Sequence, residues 1–287
     1  MRMKSIFRHE TILFLVVIVA LVILSIQAEQ FATIDNLLNQ GRFLTEVSLV
    51  ALIMTFVIVT GGIDLSVGSI LGLSAIVLGV AWKKLGLPLP LAILVALSVG
   101  TLAGLFNGII ITRFKVPPLI ATLATLALYR GLAEGISQAR SIRGYPEWFF
   151  ILGQGEFFGI PTQLWIVAFF TLLTGFILTY TTWGRATYAI GANETAARFS
   201  GIAVDKTKLF IYAASGFAAS LAAIIFVSRV STTRSDMGMG LELDAITAVV
   251  LGGTSIFGGK GTIVGTFFGL IPIPVSYTHL RAHETIL

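Results

Sequence analysis

The sequence contains no cysteine and little charge. Without cysteine, the chain has neither a disulfide framework nor a cysteine-based metal site. Charged residues make up 11% of the chain, against about 25% in ordinary soluble proteins, while hydrophobic residues make up 56%. A soluble domain of this composition would have to hide far too much apolar surface. The composition therefore predicts an integral membrane protein, and no polar stretch is long enough for a soluble catalytic domain.

Catalytic and proton-relay constellations are also missing from the sequence. The histidines are His9, His279 and His283, so no histidine pair at metal-ligand spacing lies among the apolar runs. There is no G-x-S-x-G nucleophile motif. No array of carboxylates crosses the apolar segments, although proton-driven transporters often carry one. These absences disfavour a membrane-embedded enzyme, and we expect no cofactor and no metal.

Long apolar runs separated by short polar loops organise the chain. The runs cover residues 11–26, 44–60, 69–82, 91–112, 119–136, 164–180 and 209–227. We predict an all-α, polytopic membrane helix bundle with about eight to nine spans, since about 20 apolar residues cross a bilayer as a helix. The first run is similar to a secretory signal peptide, but further apolar runs follow it, so we expect a retained helix.

Basic residues in the short loops give the chain its net charge of +5. Such a charge could indicate nucleic-acid binding, but Lys and Arg in loops between apolar runs are typical of span orientation. We therefore expect no nucleic acid among the partners. A cytoplasmic N-terminus gives a small excess of Lys and Arg to the cytoplasmic loops.

The first interruption of the apolar pattern is Thr60–Ser69, with the sequence TGGIDLSVGS. Two glycines followed by Asp64 break a helix at or near membrane depth. Irregular backbone is tolerated there only where protein or a wet cavity satisfies it. In the simpler interpretation Asp64 or Ser66 caps the third helix at the membrane surface. In the alternative, these residues contact a substrate, since a carboxylate so close to lipid is a functional candidate.

The second interruption is Gly252–Gly261, with the sequence GGTSIFGGKG. It is similar to a phosphate-binding loop but departs from that pattern twice, because Gly261 replaces the required Ser or Thr and Thr254 replaces the first glycine. We interpret it as a helix break or tight turn. The preceding Ala245–Leu251 is too short to cross alone, so the helix either starts near Leu241 and just spans, or dips partway and turns back.

Glycines recur at every fourth position in two apolar segments. The two series are Gly100, Gly104 and Gly108, and Gly261, Gly265 and Gly269. Such faces let helix backbones approach closely in a bilayer. They predict a packed helix bundle without distinguishing a transporter from a channel.

A polar interval, Gly184–Lys208, lies between two apolar runs and reads GRATYAIGANETAARFSGIAVDKTK. Asn193 offers a capping oxygen and Glu194 suits the positive end of the helix dipole, so a helix is predicted to start there. Gly201 marks its end. We predict a short helix outside the lipid, on which a soluble partner can act.

Three of these segments together resemble the membrane permease subunit of bacterial ABC importers for simple sugars, of the ribose, xylose and rhamnose type. This group lies within the branched-chain amino acid permease superfamily. The segments are TGGIDLSVGS at Thr60–Ser69, the interval Gly184–Gly201, and ELDAITAVVLGGTSIFGGKG at Glu242–Gly261. They occur in the family's order over residues 12–270.

The resemblance implies a non-enzymatic subunit that passes a monosaccharide into the cytoplasm by alternating access. Its implied partners are a cytoplasmic ABC ATPase, a periplasmic sugar-binding protein, a second permease subunit, identical or different, and membrane lipid. It also implies a multi-pass protein of the bacterial inner membrane. The main alternative is a stand-alone channel or facilitator for a small polar solute, which needs no ATPase.

The resemblance also assigns roles to residues. In such importers the coupling loop carries a Glu-Ala-Ala pattern followed by glycine, which this chain matches with Thr195 inserted. The expected ATPase-coupling residues are Asn193, Glu194, Ala196, Ala197, Arg198 and Gly201. The expected residues of the substrate path or gate are Asp64, Ser66, Asn107, Gly252 and Gly253.

The last residues depart from the family pattern. Pro272 and Pro274 interrupt the final apolar helix, and Ser276–Leu287 is polar. This segment is similar to translated sequencing-adapter sequence or a frameshift. We therefore expect a transmembrane permease domain at residues 1–271, truncated at its C-terminal end, and a non-native tail at residues 272–287.

Overall fold

A computed structural model of the chain describes residues 33–273 and the single residue Ile18. The predicted span at residues 11–26, apart from Ile18, and the predicted tail from residue 274 onward lie outside the described residues. The described part is a helix bundle. Its α-helices are α1 (Ile34–Val59), α2 (Val67–Lys83), α3 (Leu89–Arg113), α4 (Pro118–Ser137), α5 (Ile151–Gln154), α6 (Thr162–Tyr180), α7 (Thr182–Ala192), α8 (Glu194–Phe199), α9 (Val204–Val230), α10 (Leu241–Leu251) and α11 (Ile263–Leu270).

Extended structure in residues 33–273 is limited to two small ribbons, and one short 3-10 helix covers Glu147–Phe150. The strands are β1 (Ile142–Arg143), β2 (Glu156–Phe157), β3 (Ile160–Pro161) and β4 (Thr232–Thr233). β1 pairs antiparallel with β4, and β2 pairs antiparallel with β3. The predicted all-α class is therefore confirmed for the described bundle.

Five helices within residues 33–273 are long and apolar enough to cross a membrane, namely α1, α3, α4, α6 and α9. α1 begins at Ile34, whereas the apolar pattern placed the start of this span at Leu44. The early start has a local cause, because the hydroxyl of Thr33 accepts a hydrogen bond from the backbone N–H of Asn36 and Asp35 lies in the first turn. Capping thus extends the helix beyond its apolar run.

α1 and α9 form the centre of the bundle. In their most apolar windows, 78% of α1 and 67% of α9 is buried, against 22% of α6. α3 and α4 are also mostly unburied. α1 and α9 therefore make the internal contacts together with α2, of which 13 of 17 residues are buried, while α3, α4 and α6 present apolar surface outward.

The predicted glycine face of α3 forms a close contact with α9. A Cβ added to Gly104 would overlap the carbonyl oxygen of Tyr212, and one added to Gly216 would overlap the carbonyl oxygen of Gly100. The two backbones therefore touch, as small residues allow in membrane bundles.

Replacing Gly216 with valine is expected to lower the free energy of unfolding by about 1–3 kcal/mol, because the added side chain forces α3 and α9 apart. Unfolding of the purified proteins in one detergent measures the change. Gly131→Val is the matched control, since a Cβ at this helical glycine of α4 meets no atom within 4 Å. Equal losses in both variants would contradict the close contact.

α10 and α11 form an antiparallel helical hairpin. A Cβ on Gly269 would overlap the carbonyl oxygen of Ala248, and one on Gly265 would overlap that of Gly252. The 11 residues of α10 extend about 16 Å, which is short of the hydrocarbon thickness of about 30 Å. The helix starts at Leu241, as the first alternative predicted, and the chain turns back after it, as the second predicted.

The segment 231–240 brings the chain from the end of α9 to the start of α10 along α2. A Cβ on Gly79 would lie against the side chain of Thr233, and one on Gly68 would overlap the carbonyl oxygen of Gly238. Because α2 runs from residue 67 to residue 83, the segment follows α2 from its last turn to its first. α10 therefore begins inside the bundle, beside the break between α1 and α2.

Candidate functional site

The break between α1 and α2 holds a buried polar network around Asp64, a fully buried residue. Oδ1 of Asp64 accepts hydrogen bonds from the backbone N–H of Ser66 at 3.0 Å and from the Ser66 hydroxyl at 2.6 Å. Oδ2 accepts a hydrogen bond from the hydroxyl of Ser215 on α9 at 2.8 Å. The carboxylate therefore ties the helix break to the central helix α9.

Asn107 extends this network to α3 and α4. Its Nδ2 donates to Oγ of Ser66 at 2.7 Å. The hydroxyl of Tyr129 lies 3.2 Å from Oδ1 of Asn107 and 2.8 Å from the carbonyl oxygen of Ala103. Three of the predicted path residues, Asp64, Ser66 and Asn107, are thus brought together in one network that joins four helices.

The geometry of Asp64 differs from simple capping at the membrane surface. Ser66 precedes α2, but its side chain makes no capping hydrogen bond and donates to Asp64 instead. No ion pair involves Asp64 among residues 33–273. The same part of the chain contains no group of three His, Asp or Glu side chains that could hold a metal ion. Hydroxyl and amide groups therefore satisfy this carboxylate.

The connection between α10 and α11, residues 252–262, packs against the C-terminal end of α1. The backbone N–H of Gly259 donates to the carbonyl oxygen of Val59 at 2.8 Å. The hydroxyl of Tyr188 on α7 donates to the carbonyl oxygen of Gly261 at 2.6 Å. The predicted path residues of this connection, Gly252 and Gly253, therefore lie apart from the Asp64 network, near the polar interval.

The two predicted glycines have separate structural roles. Gly252 packs against the backbone of Gly265 in the helical hairpin. Gly253 has a φ of +89°, a conformation that L side chains rarely adopt. Both residues shape the turn.

The polar interval forms α7 and α8, which Asn193 separates. Oδ1 of Asn193 accepts a hydrogen bond from the backbone N–H of Ala196 at 2.9 Å, so Asn193 caps α8. Gly201 ends the helix with a φ of +82°. These contacts confirm the predicted start and end of the short helix.

A charged network fixes α8 to its neighbours. Glu194 accepts hydrogen bonds from Arg198 at 2.9 Å and from Lys208 on α9 at 2.6 Å. Asp205 accepts from Arg198 at 2.5 Å and from Lys115, in the connection between α3 and α4, at 3.1 Å. Ion pairs near the surface are each worth about 0–1 kcal/mol, so the effect of this network is on orientation more than on stability.

The network also fixes the ionisation of Glu194. Partial burial raises the pKa of this carboxyl, but the hydrogen bonds from Lys208 and Arg198 outweigh it and hold the pKa below its ordinary value. Glu194 is therefore ionised at neutral pH. As the pH falls through this lowered pKa, the stabilisation from the network is lost.

α8 presents an exposed face with one large apolar side chain. Phe199 is 89% exposed, whereas Ala197 is buried against α7 and α9. Of the predicted coupling residues, Ala197 therefore positions the helix, and the others lie on or beside its accessible surface. The sequence pattern did not single out Phe199, although an aromatic residue in a polar interval is the signal that could have identified it.

Arg130 on α4 is a second residue that sequence reasoning missed. Its guanidinium donates to three backbone carbonyl oxygens, those of Ser235, Met237 and Gly68. It therefore fastens the segment 231–240 to the first turn of α2. The available signal was an arginine within an apolar run, since such residues are rare and functional in membrane helices.

Comparison with known proteins gives consistent matches over most of the chain. Residues 34–282 match the family described as branched-chain amino acid transport system / permease component. The ribose import permease protein RbsC of Haemophilus influenzae is 41% identical over 264 residues, covering 91% of this chain and 81% of that protein. RbsC of Bacillus subtilis is 43% identical over 263 residues, covering 91% and 81%. The autoinducer 2 import system permease protein LsrD of Escherichia coli is 41% identical over 231 residues, covering 78% and 70%.

The range matched by the family covers the three structural features described above. The matched range contains the break at Asp64, the pair α7 and α8, and the hairpin of α10 and α11. No solved structure matches the chain. Since relatives of about 40% identity over most of its length are permease subunits of importers, this multi-pass membrane protein belongs to the family of branched-chain amino acid transport system permease components.

Proposed function

We propose that the chain is the membrane-spanning subunit of an ATP-driven importer that passes a monosaccharide from a binding protein to the cytoplasm by alternating access. The observation that carries the proposal is α8, a capped and exposed helix that a charged network fixes to α9. The names of the relatives support the sugar, because two of them import ribose.

ATP hydrolysis takes place on a separate ATPase chain, and its closure pushes on α8. The push reaches α9 through Lys208 and Asp205, which lie in the first turns of that helix. Ser215 on the same helix binds Asp64 at the break. α9 thereby links the ATPase contact to the break, and its displacement switches the bundle between two states by rigid-body motion.

The break at Asp64 and the connection 252–262 are the two gate elements of this proposal. Both consist of non-helical backbone beside the C-terminal end of α1. Asp64, Ser66 and Asn107 form the first gate, and Gly252 and Gly253 shape the second. Because Ser66 and Ser215 donate hydrogen bonds to Asp64, its carboxylate is satisfied within the chain and needs no charged solute as a partner, which suits a neutral sugar.

The remaining partners follow from the same arrangement. In the bacterial inner membrane, with the N-terminus in the cytoplasm, the ATPase binds at the end of the bundle that carries α8. The sugar-binding protein docks at the opposite end, on residues 138–161. A second permease subunit, identical or different, and lipid cover the outward apolar surfaces of α3, α4 and α6.

Reconstitution tests the proposed function. The full-length permease is purified from its native host with its associated chains and placed in proteoliposomes, where uptake of labelled D-ribose is measured. We expect uptake to require both ATP on the α8 side and the binding protein on the other side. Uptake without ATP or without the binding protein would contradict the importer and favour the stand-alone channel or facilitator.

A further inference from the structure

A cavity of about 430 Å³ opens at the end of the bundle opposite α8. Its walls come from the N-terminal half of α1, the C-terminal end of α9, the segment 231–240 and the start of α10. The volume lies within the range of about 300–1,000 Å³ that small-molecule sites occupy. The lining combines apolar side chains, such as Phe43 and Met237, with a few charged groups, as such sites do.

Glu46 and Arg229 form a fixed polar pair in the cavity wall. Nε of Arg229 donates to Oε1 of Glu46 at 2.9 Å, and the side chain of Glu46 is only 3% exposed. The guanidinium lies 4.9 Å from the ring centre of Phe43 and 4.8 Å from that of Phe226, which holds it by cation–π contact. The terminal nitrogens of Arg229 donate to no other residue of 33–273. Their N–H groups are therefore left for a ligand.

The charges of the lining favour a neutral ligand. Arg229 is paired with Glu46, and Arg234 is paired with Asp236. An anion bound to the terminal nitrogens of Arg229 would lie beside the carboxylate of Glu46, which repels it, and a cation would be repelled by the arginines. Asp244, a further acid of the lining, lies in the first turn of α10, where the helix dipole favours its charge. A ligand with several hydroxyl groups can instead accept from Arg229 and donate to a carboxylate without breaking a pair.

The lining of the cavity also contacts α2 close to the break between α1 and α2. Gly238, which lines the cavity, packs against Gly68 in the first turn of α2. Arg130 binds the carbonyl oxygens on both sides of this contact, those of Met237 and Gly68. The Asp64 network begins directly beyond that turn. The cavity lining therefore contacts the first turn of α2, which directly follows the first gate element in the chain.

We propose that this cavity, the Glu46–Arg229 vestibule, is an entry subsite that binds the neutral sugar between its release by the binding protein and its passage past Asp64. The inference rests on the proposed function, because the sugar is the solute of the importer. Arg229 donates to the sugar hydroxyls, Glu46 orients Arg229, and the ring of Phe43 packs against the apolar face of the sugar.

The absence of cysteine makes a direct test possible. Met239 lines the cavity and is 73% exposed, so Met239→Cys places one thiol in the vestibule. Phe158→Cys is the control, since Phe158 is 84% exposed and lies outside the cavity. The purified full-length variants in nanodiscs react with a polar thiol reagent, with and without millimolar D-ribose. We expect ribose to slow labelling of M239C about fivefold or more by occupancy, and to leave F158C unchanged.

A second variant tests the polar pair. Glu46→Gln in the M239C chain keeps the shape of the side chain but removes the charge-assisted hydrogen bonds of the carboxylate. The ribose concentration for half-protection should rise about tenfold. Glu134→Gln, at an exposed position of α4 outside the cavity, should leave it unchanged. D-ribose 5-phosphate should protect less well than ribose, because its charge competes with the paired carboxylates.

The results separate the subsite from the importer. Equal labelling of M239C with and without ribose overturns the vestibule, even where ATP-driven ribose uptake is observed. Protection of M239C that E46Q weakens supports the vestibule, even where uptake needs no ATP and the importer is contradicted. An unchanged labelling rate of M239C without ribose in the E46Q chain shows that the variant has kept its fold.

Discussion

Replacing Asp64 with leucine is expected to lower the free energy of unfolding by about 3 kcal/mol or more, because several buried donors lose their acceptor at once. The carboxylate accepts the backbone N–H of Ser66 and the hydroxyls of Ser66 and Ser215. Leucine accepts none of these hydrogen bonds. Unfolding of the purified variant in detergent, compared with the unchanged chain, measures the loss.

Matched variants separate hydrogen bonding from side-chain volume. Asp64→Asn should keep most of the stability, since the amide oxygen still accepts from Ser66 and the Ser215 hydroxyl can rotate to accept. Ser215→Ala should cost about 1.5–3 kcal/mol, because it removes a donor to a buried carboxylate. Ser98→Ala should change little, since the exposed Ser98 hydroxyl donates only within its own helix, to Leu94. Unchanged stability of D64L would show that the network does not hold the break.

The Asp64 network shows which part of the site a sequence pattern reveals. Glycines and an acid within an apolar run predicted the break, because these residue types interrupt a helix locally. The partners of Asp64 come from α3 and α9, and the contact between those two helices depends on Gly104 and Gly216. Spacing predicted a close contact for Gly104 but not its partner helix. Side-chain pairing across helices therefore had to come from the structure.

Arg130 is an example of a residue whose role the sequence pattern did not reveal. A hydropathy pattern scores each residue by its type alone and carries no information on hydrogen-bond partners. It therefore does not show whether an arginine in an apolar run lies in a loop or binds other segments. In the bundle, Arg130 lies within α4 and donates to backbone carbonyls of the segment 231–240. That segment has no helix or strand periodicity over most of its length, so its path beside α2 left no pattern in the sequence. The vestibule depends on this path and was for that reason not predictable.

Capping residues allowed the limits of α8 to be predicted correctly, but the start of α1 was predicted too late. Asn193 and Gly201 act over three or four residues, so the limits of α8 were predictable from the sequence. Thr33 acts in the same way for α1, but the prediction followed the apolar run and placed the start too late. Local chemistry therefore sets helix ends even where hydropathy sets the span.

Replacing Phe199 with alanine is expected to weaken binding of the ATPase about 30-fold or more, which corresponds to about 2 kcal/mol. Phe199 is the large apolar side chain of α8 and is 89% exposed, so it contacts little within its own chain. An aromatic ring of this exposure on a polar helix is a typical anchor for a partner protein. Binding of the purified ATPase to the full-length permease in nanodiscs measures the affinity, and ATP-driven ribose uptake should fall with it.

The control is Phe158→Ala, because Phe158 is similarly exposed but lies in the turn between β2 and β3, at the opposite end of the bundle. Neither variant should change the unfolding temperature, since neither ring is buried. A loss of ATPase affinity confined to F199A supports the push on α8, since the network of Glu194, Arg198 and Asp205 stays intact in that variant. Equal affinity in F199A and the unchanged chain would place the ATPase contact elsewhere and remove the link through α9 to Asp64.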